Sequence, residues 1–103
     1  MKKLHISVAD KIATYLQRDG DIVCGNSDYQ IVFTFDAEWK DTVKTARFRW
    51  SGGKRDVNIA DDDTCTVPVI NDAASVTVGV FADNLSTTPV VIPCKRSILC
   101  TSG

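Results

Sequence analysis

The residues able to do chemistry in this sequence include a single histidine, His5. A Ser-His-Asp or Cys-His arrangement would need its imidazole as a base, beside a nucleophile and an orienting group. His5 lies between Leu4 and Ile6, on the polar side of an alternating stretch that is typical of a strand. We therefore interpret it as a surface histidine without a catalytic role.

Two acidic groupings could suggest other chemistry. Asp36 and Glu38 flank Trp39, as a glycosidase carboxylate pair beside a sugar-stacking ring would, but such a pair must face across a cleft. A chain of 103 residues has little room for one, so we expect Trp39 to pack under its own loop. The run 61–63 (DDD) lacks the alternating ligand spacing of a calcium loop and fits a solvated turn. We expect no enzyme activity, no metal and no cofactor.

Four cysteines, Cys24, Cys65, Cys94 and Cys100, lack the close spacing of a structural zinc site. Cys94 and Cys100 share one extended segment, whose length of about 20 Å keeps them too far apart for a disulfide unless it folds back. A bridge between Cys24 and Cys65 is one alternative that stays open. The preferred interpretation is that the cysteines are buried thiols acting as small hydrophobic residues.

A basic cluster, Arg47, Arg49, Lys54 and Arg55, surrounds one expected hairpin. The cluster is either a solvated face or a contact with an acidic partner. The formal net charge of −1, without a basic stripe, disfavours nucleic acid as the partner. No apolar run of about 20 residues is present that could cross a membrane.

The composition favours strands over helices. Val and Ile pack well on a pleated sheet, and together they number 20, against 4 Leu. The acidic residues are Asp except for Glu38, and Asp favours turns. Alternation of apolar and polar residues and short apolar runs predict about seven to nine strands among the segments 4–8, 12–16, 22–24, 29–35, 46–50, 56–59, 65–69, 76–82, 90–92 and 97–100.

Turn residues every 8–12 positions separate these segments, which is the spacing of an immunoglobulin-like sandwich. We therefore predict one all-β domain over residues 1–103, an antiparallel β-sandwich, with a small β-barrel as the alternative. Gly52 and Gly53 predict a tight hairpin turn with a positive φ. Pro68 cannot donate to a ladder, so its strand should lie at an edge or a bulge.

Several stretches of the chain, taken together in order, resemble small structural proteins and N-terminal domains of phages and prophages of Gram-positive gut bacteria. They are residues 24–29 (CGNSDY), 33–39 (FTFDAEW), 43–48 (VKTARF), 67–70 (VPVI), 76–82 (VTVGVFA) and 92–100 (IPCKRSILC). The resemblance covers nearly the whole chain, and Asp83 departs from it where Gly is expected.

The resemblance implies a virion structural protein that anchors or assembles a tail, baseplate, fibre or decoration component. Its implied partners are other virion proteins and further copies of itself. Its implied location is the virion, assembled in the cytoplasm of the bacterial host.

Candidate contact residues for such a partner are Trp39, Arg47, Arg49, Phe81 and Leu85. Core packing is the competing role for each of the three apolar residues. The alternative function is a carbohydrate- or host-receptor-binding module, in which Trp39 and Tyr29 would stack on sugar rings.

Overall fold

A computed structural model describes residues 2–16, 22–25, 29–70, 73–82 and 84–95. These residues form strands joined by turns and one short 3₁₀ helix, Ala37–Trp39. The strands are β1 (Lys2–Ala9), β2 (Ile12–Tyr15), β3 (Ile22–Val23), β4 (Tyr29–Phe35), β5 (Thr45–Trp50), β6 (Gly53–Asn58), β7 (Thr64–Thr66), β8 (Ser75–Ala82), β9 (Leu85–Ser86) and β10 (Val90–Lys95).

The first sheet has the strand order β2-β1-β4-β7. Its two central strands, β1 and β4, run parallel, in a register that pairs Leu4 with Ile31. β1 and β2 form a hairpin whose two turn residues, Asp10 and Lys11, have φ values of 51° and 63°. Positive φ at both positions is what a two-residue turn needs to match the twist of the strands.

The second sheet has the strand order β3-β10-β8-β5-β6, and β9 pairs with β8. β5 and β6 form the expected hairpin, closed by the pair Trp50 and Gly53. Gly25, with φ 81°, is the glycine with a positive φ in the described part of the chain. The hairpin at Gly52 and Gly53 therefore turns without the left-handed backbone that was predicted for it.

The core lies between the two sheets and receives alternate residues of β1, β4, β5, β8 and β10. In β8, for example, Val76, Val78, Val80 and Ala82 are buried, as their spacing predicts. Burying each Val, Leu or Ile contributes about 1.5–3 kcal/mol, so this core is the main source of stability. The largest fully buried side chains are Trp39, Phe48, Leu4, Ile6, Ile22, Ile31, Ile70, Ile92, Val8, Val76, Val78 and Cys24.

The all-β, two-sheet prediction is confirmed, but two strand pairings differ from a wholly antiparallel sandwich. β1 pairs parallel with β4, and β3 pairs parallel with β10. Alternation determines which face of a strand is buried, but it is the same for a parallel and an antiparallel neighbour.

The strand predicted over 65–69 ends early, at Thr66. The Val67 amide still donates to the carbonyl oxygen of Tyr29, and Pro68 follows outside the ladder, because it has no N–H to donate. The strand expected over 97–100 and the departure at Asp83 lie outside the described residues.

Candidate docking face

The candidate site is the outer face of the second sheet. In β5, Ala46 and Phe48 point into the core, so Arg47 and Arg49 point outward and are exposed, as predicted. Phe81, in β8, also lies on this side, because its neighbours in the strand are buried. The register pairs Arg47 with Gly79 and Arg49 with Thr77 across the two strands. The outer face is therefore a continuous surface of β10, β8, β5 and β6.

Arg47 is held in place by two contacts on this face. Its Nε and Nη2 atoms donate to the two carboxylate oxygens of Asp56 on β6, at 2.9 and 3.1 Å. Its guanidinium also lies over the ring of Phe81, 4.9 Å from the ring centre. A hydrogen-bonded pair of this kind fixes the orientation of the guanidinium plane.

The same pair shifts the pKa of both groups. The hydrogen bond from Arg47, helped by its charge, holds the pKa of the Asp56 carboxyl below its usual value, and the pKa of Arg47 is raised in return. Both side chains are 43% exposed, so the pair orders the surface more than it stabilises the fold.

Arg49 differs from Arg47 because it has no ion-pair partner among the described residues. It lines an open groove of about 430 Å³, together with Trp50, Ser51, Ala74, Ser75 and Thr77. We call this the Arg49 groove. A guanidinium donates two parallel hydrogen bonds to a carboxylate, and the hydroxyls of the groove can donate or accept. The groove can therefore hold an acidic group.

An exposed apolar side chain extends the outer face beside the groove. Val91 of β10 is 57% exposed and pairs with Thr77 of β8. On the other side, Trp50 lies close to Gly53, where a side chain carbon would come within 3.8 Å of the indole. The ring thus covers the backbone of the hairpin and packs against the core, and Trp50 borders the groove at the end of β5.

Three of the five residues expected at a contact lie together, and two do not. Arg47, Arg49 and Phe81 share the outer face. The contact role of Trp39 is wrong, and its expected packing under its own loop is confirmed: it is 0% exposed, because the 3₁₀ helix turns the indole inward against Phe35, with ring centres 5.4 Å apart. Leu85 is also corrected, since it pairs with buried Ala82 and packs half-buried against the core.

The stacking role suggested for Tyr29 is also wrong. Its side chain is 6% exposed, and its hydroxyl accepts a hydrogen bond from the Val23 amide. Trp50, which the alternation places inward, packs half-buried against the core and also borders the surface groove. Its position at the last residue of β5, directly before the hairpin turn, is the sequence signal that could have found it.

The acidic groupings hold structural contacts. Asp36 Oδ2 accepts from the Asp10 amide at 2.9 Å, and Glu38 pairs with Lys11 at 2.7 Å. Within the described ranges, no group of three or more His, Cys, Asp or Glu side chains is placed to hold a metal ion. No helix in the described part of the chain is long and apolar enough to cross a membrane.

The cysteines that the structure describes, Cys24, Cys65 and Cys94, are all buried. Cys65 is a free thiol, so the bridge to Cys24 does not form, and burial raises its pKa to about 12. A thiol with so high a pKa is a poor nucleophile. The pairing considered for Cys94 involves Cys100, which lies outside the described residues.

Comparisons with known proteins reveal no relative of this chain. No family model matches the chain, and no curated protein and no solved structure matches it either. The function is therefore inferred from the outer face and from the sequence resemblance.

Proposed function

We propose that this domain is a structural protein of a phage particle, which docks onto other virion proteins through the outer face of its second sheet. The observation that carries the proposal is the placement of Arg47, Arg49 and Phe81 on one open face, with the Arg49 guanidinium unpaired. The sequence resemblance indicates a virion protein, and the outer face offers a surface through which such a protein can assemble.

The composition of the face supports docking over simple solvation. Arginine and aromatic residues are enriched where interfaces bind most strongly. Arg47 is already oriented by Asp56, so binding would immobilise little of its side chain. Arg49 offers donors that a carboxylate of the partner can satisfy.

The test is incorporation into particles. A bacterial host that produces the phage particle would express the chain with Arg49→Glu, and gradient-purified particles would be analysed by quantitative mass spectrometry. We expect the substitution to lower the amount of this chain per particle at least tenfold. Lys3→Glu, which makes the same charge change on the exposed outer side of β1, is the matched control and should be incorporated normally.

A chain absent from purified particles, or equal incorporation of the Arg49→Glu and Lys3→Glu proteins, would contradict the proposal. Circular dichroism of each purified variant must match that of the unaltered protein, so that a folding defect is not mistaken for lost docking.

A second candidate function, binding of a carbohydrate or host receptor, is favoured by one observation. Trp50 and Arg49 share a groove with three hydroxyl side chains, and such a combination suits an acidic sugar. A glycan array would test it. Binding of a carboxylated glycan that Trp50→Ala abolishes would support this function, and an array without signal would argue against it.

A further inference from the structure

The two ends of the sandwich differ in chemistry, and the strand directions show which residues share an end. β5 and β10 both pair antiparallel with β8, so they run in the same direction and finish together. The Arg49 groove lies at that end, with the end of β10. β6 returns antiparallel to β5, so the turn 60–63 that follows it lies at the opposite end. The loop 40–44, directly before β5, lies there too.

This opposite end presents unpaired carboxylates around an exposed apolar side chain. Asp41 and Asp61 line a hollow of about 280 Å³ with Val43, and neither carboxylate has a hydrogen-bond or ion-pair partner within the described ranges. Val43 is 84% exposed, more than any other exposed large apolar residue described. Lys44 in the same hollow is turned toward Asp63, at 3.7 Å. We call Asp41, Val43 and Asp61 the acidic end.

The acidic end and the Arg49 groove are complementary. The groove offers an unpaired guanidinium bordered by Trp50, and Lys54 lies across the strand pair from Arg49. The acidic end offers carboxylates and an isopropyl group. The two surfaces are opposite in charge, and each has an apolar residue beside its charged groups.

We propose that the Arg49 groove binds the acidic end of a second copy of this chain. Because the two surfaces are different and lie at opposite ends, the contact is head-to-tail, and each added copy leaves a new groove and a new acidic end. Copies therefore assemble into a ring if the rotation between them closes, and into a filament if it does not. The inference rests on the proposed function, and it names a further copy as the partner of the docking face.

The contact depends on salt. Exposed charges interact over about 10 Å at 0.1 M salt and over about 3 Å at 1 M salt. Sedimentation velocity over a concentration series is expected to show assembly beyond the dimer at low salt, and at least a tenfold weaker association at high salt.

Charge-reversed variants test the geometry. Arg49→Glu destroys the groove and keeps the acidic end, whereas Val43→Lys with Asp61→Lys destroys the acidic end and keeps the groove. None of these side chains makes a hydrogen bond or ion pair in the described structure, so each variant should fold. Alone, each is expected to be a monomer. An equimolar mixture is expected to associate beyond the dimer with the two variants alternating. The intact acidic end of the first variant fits the intact groove of the second, and the two charge-reversed surfaces also complement each other.

Two further proteins complete the experiment. A chain that carries both sets of substitutions has its charges exchanged, and we expect it to regain head-to-tail association. Lys3→Glu, on the first sheet, should assemble like the unaltered protein.

A monomer at low salt across the whole concentration series would overturn the inference. So would association that Arg49→Glu leaves unchanged, or a dimer that never grows in the unaltered protein. These failures are distinct from failure of the proposed function, because a monomeric protein that still needs Arg49 to enter particles would dock onto a different virion protein.

Discussion

Arg47 and Arg49 stand two residues apart on the same strand and face, yet their states differ. Arg47 is tied to Asp56 and lies over Phe81, whereas Arg49 has no ionic partner among the residues described. The two arginines look equivalent in the sequence. What separates them is the partner strand, because β6 places an aspartate opposite Arg47 and a lysine opposite Arg49.

The two tryptophans make opposite contributions, and substitution to alanine should separate them. Trp39→Ala removes a fully buried indole, so we expect it to lower the free energy of unfolding by about 3–5 kcal/mol. Trp50→Ala, at a half-buried position, should cost no more than about 1–2 kcal/mol. Urea denaturation followed by circular dichroism measures both. Equal losses would contradict the assignment of Trp39 to the core and Trp50 to the groove.

The buried thiol of Cys65 should make stability fall in alkali. Its pKa is about 12 in the fold and 9.0 ordinarily, so the unfolded chain alone releases this proton as the pH rises above 9.0. At one pH unit above that value, the thiol is expected to reduce the free energy of unfolding by about 1.4 kcal/mol. Cys65→Ala removes the effect. The difference in unfolding free energy between the unaltered protein and Cys65→Ala, measured in urea with reductant present, should therefore change between pH 8 and pH 10. An unchanged difference would be inconsistent with a buried thiol.

At the scale of the elements, a short turn joins the strands of the first hairpin, and charged side chains line the open edge of the second sheet. The β1–β2 hairpin turns through two non-glycine residues with positive φ, Asp10 and Lys11. β6, at the open edge of the second sheet, carries Lys54, Arg55 and Asp56 in succession. Charged side chains on an edge strand discourage pairing with strands of other chains. Contact between copies is therefore expected through the ends and the outer face, and not through this edge.

The left-handed backbone at Asp10 predicts an order of stability. A left-handed residue with a Cβ costs about 1–2 kcal/mol, glycine avoids this cost, and aspartate tolerates it better than alanine. The Asp10 amide, not its side chain, donates to Asp36, so substitution keeps that hydrogen bond. We expect Asp10→Gly to exceed Asp10→Ala in unfolding free energy by about 1–2 kcal/mol. Thermal and urea unfolding measure the stabilities of the two variants. If Asp10 had a regular strand conformation, Asp10→Gly would not be the more stable of the two.

At the scale of the whole molecule, both sheets share one core. The buried residues of β1 and β4 and those of β5, β8 and β10 belong to a single cluster. Parallel pairing of β1 with β4 connects residues 2–8 with residues 29–35, so the first sheet depends on distant parts of the chain. A core built in this way cannot lose one sheet and keep the other packed.

A single core predicts a single unfolding transition. Leu4→Ala in the first sheet and Val78→Ala in the second should each lower the midpoint of the same transition, because both side chains are fully buried. Calorimetry and tryptophan fluorescence measure the unfolding transition. In the unaltered protein and in both variants, the two melting curves should coincide. Two separate transitions, each sensitive to one substitution, would show that the sheets unfold independently.

The sequence by itself determined the all-β class, the faces of the long strands, the outward direction of Arg47 and Arg49, and the β5–β6 hairpin. These features follow from a period of two along a strand and from local turn residues, which neighbours in the chain are enough to set. Only the tertiary structure decided the parallel pairings, the complete burial of Trp39 beside the half-burial of Trp50, and the separation of the acidic end from the Arg49 groove. Those features depend on which distant strands are neighbours and on how the sheets close over the core, and a period of two is the same whichever strand lies alongside.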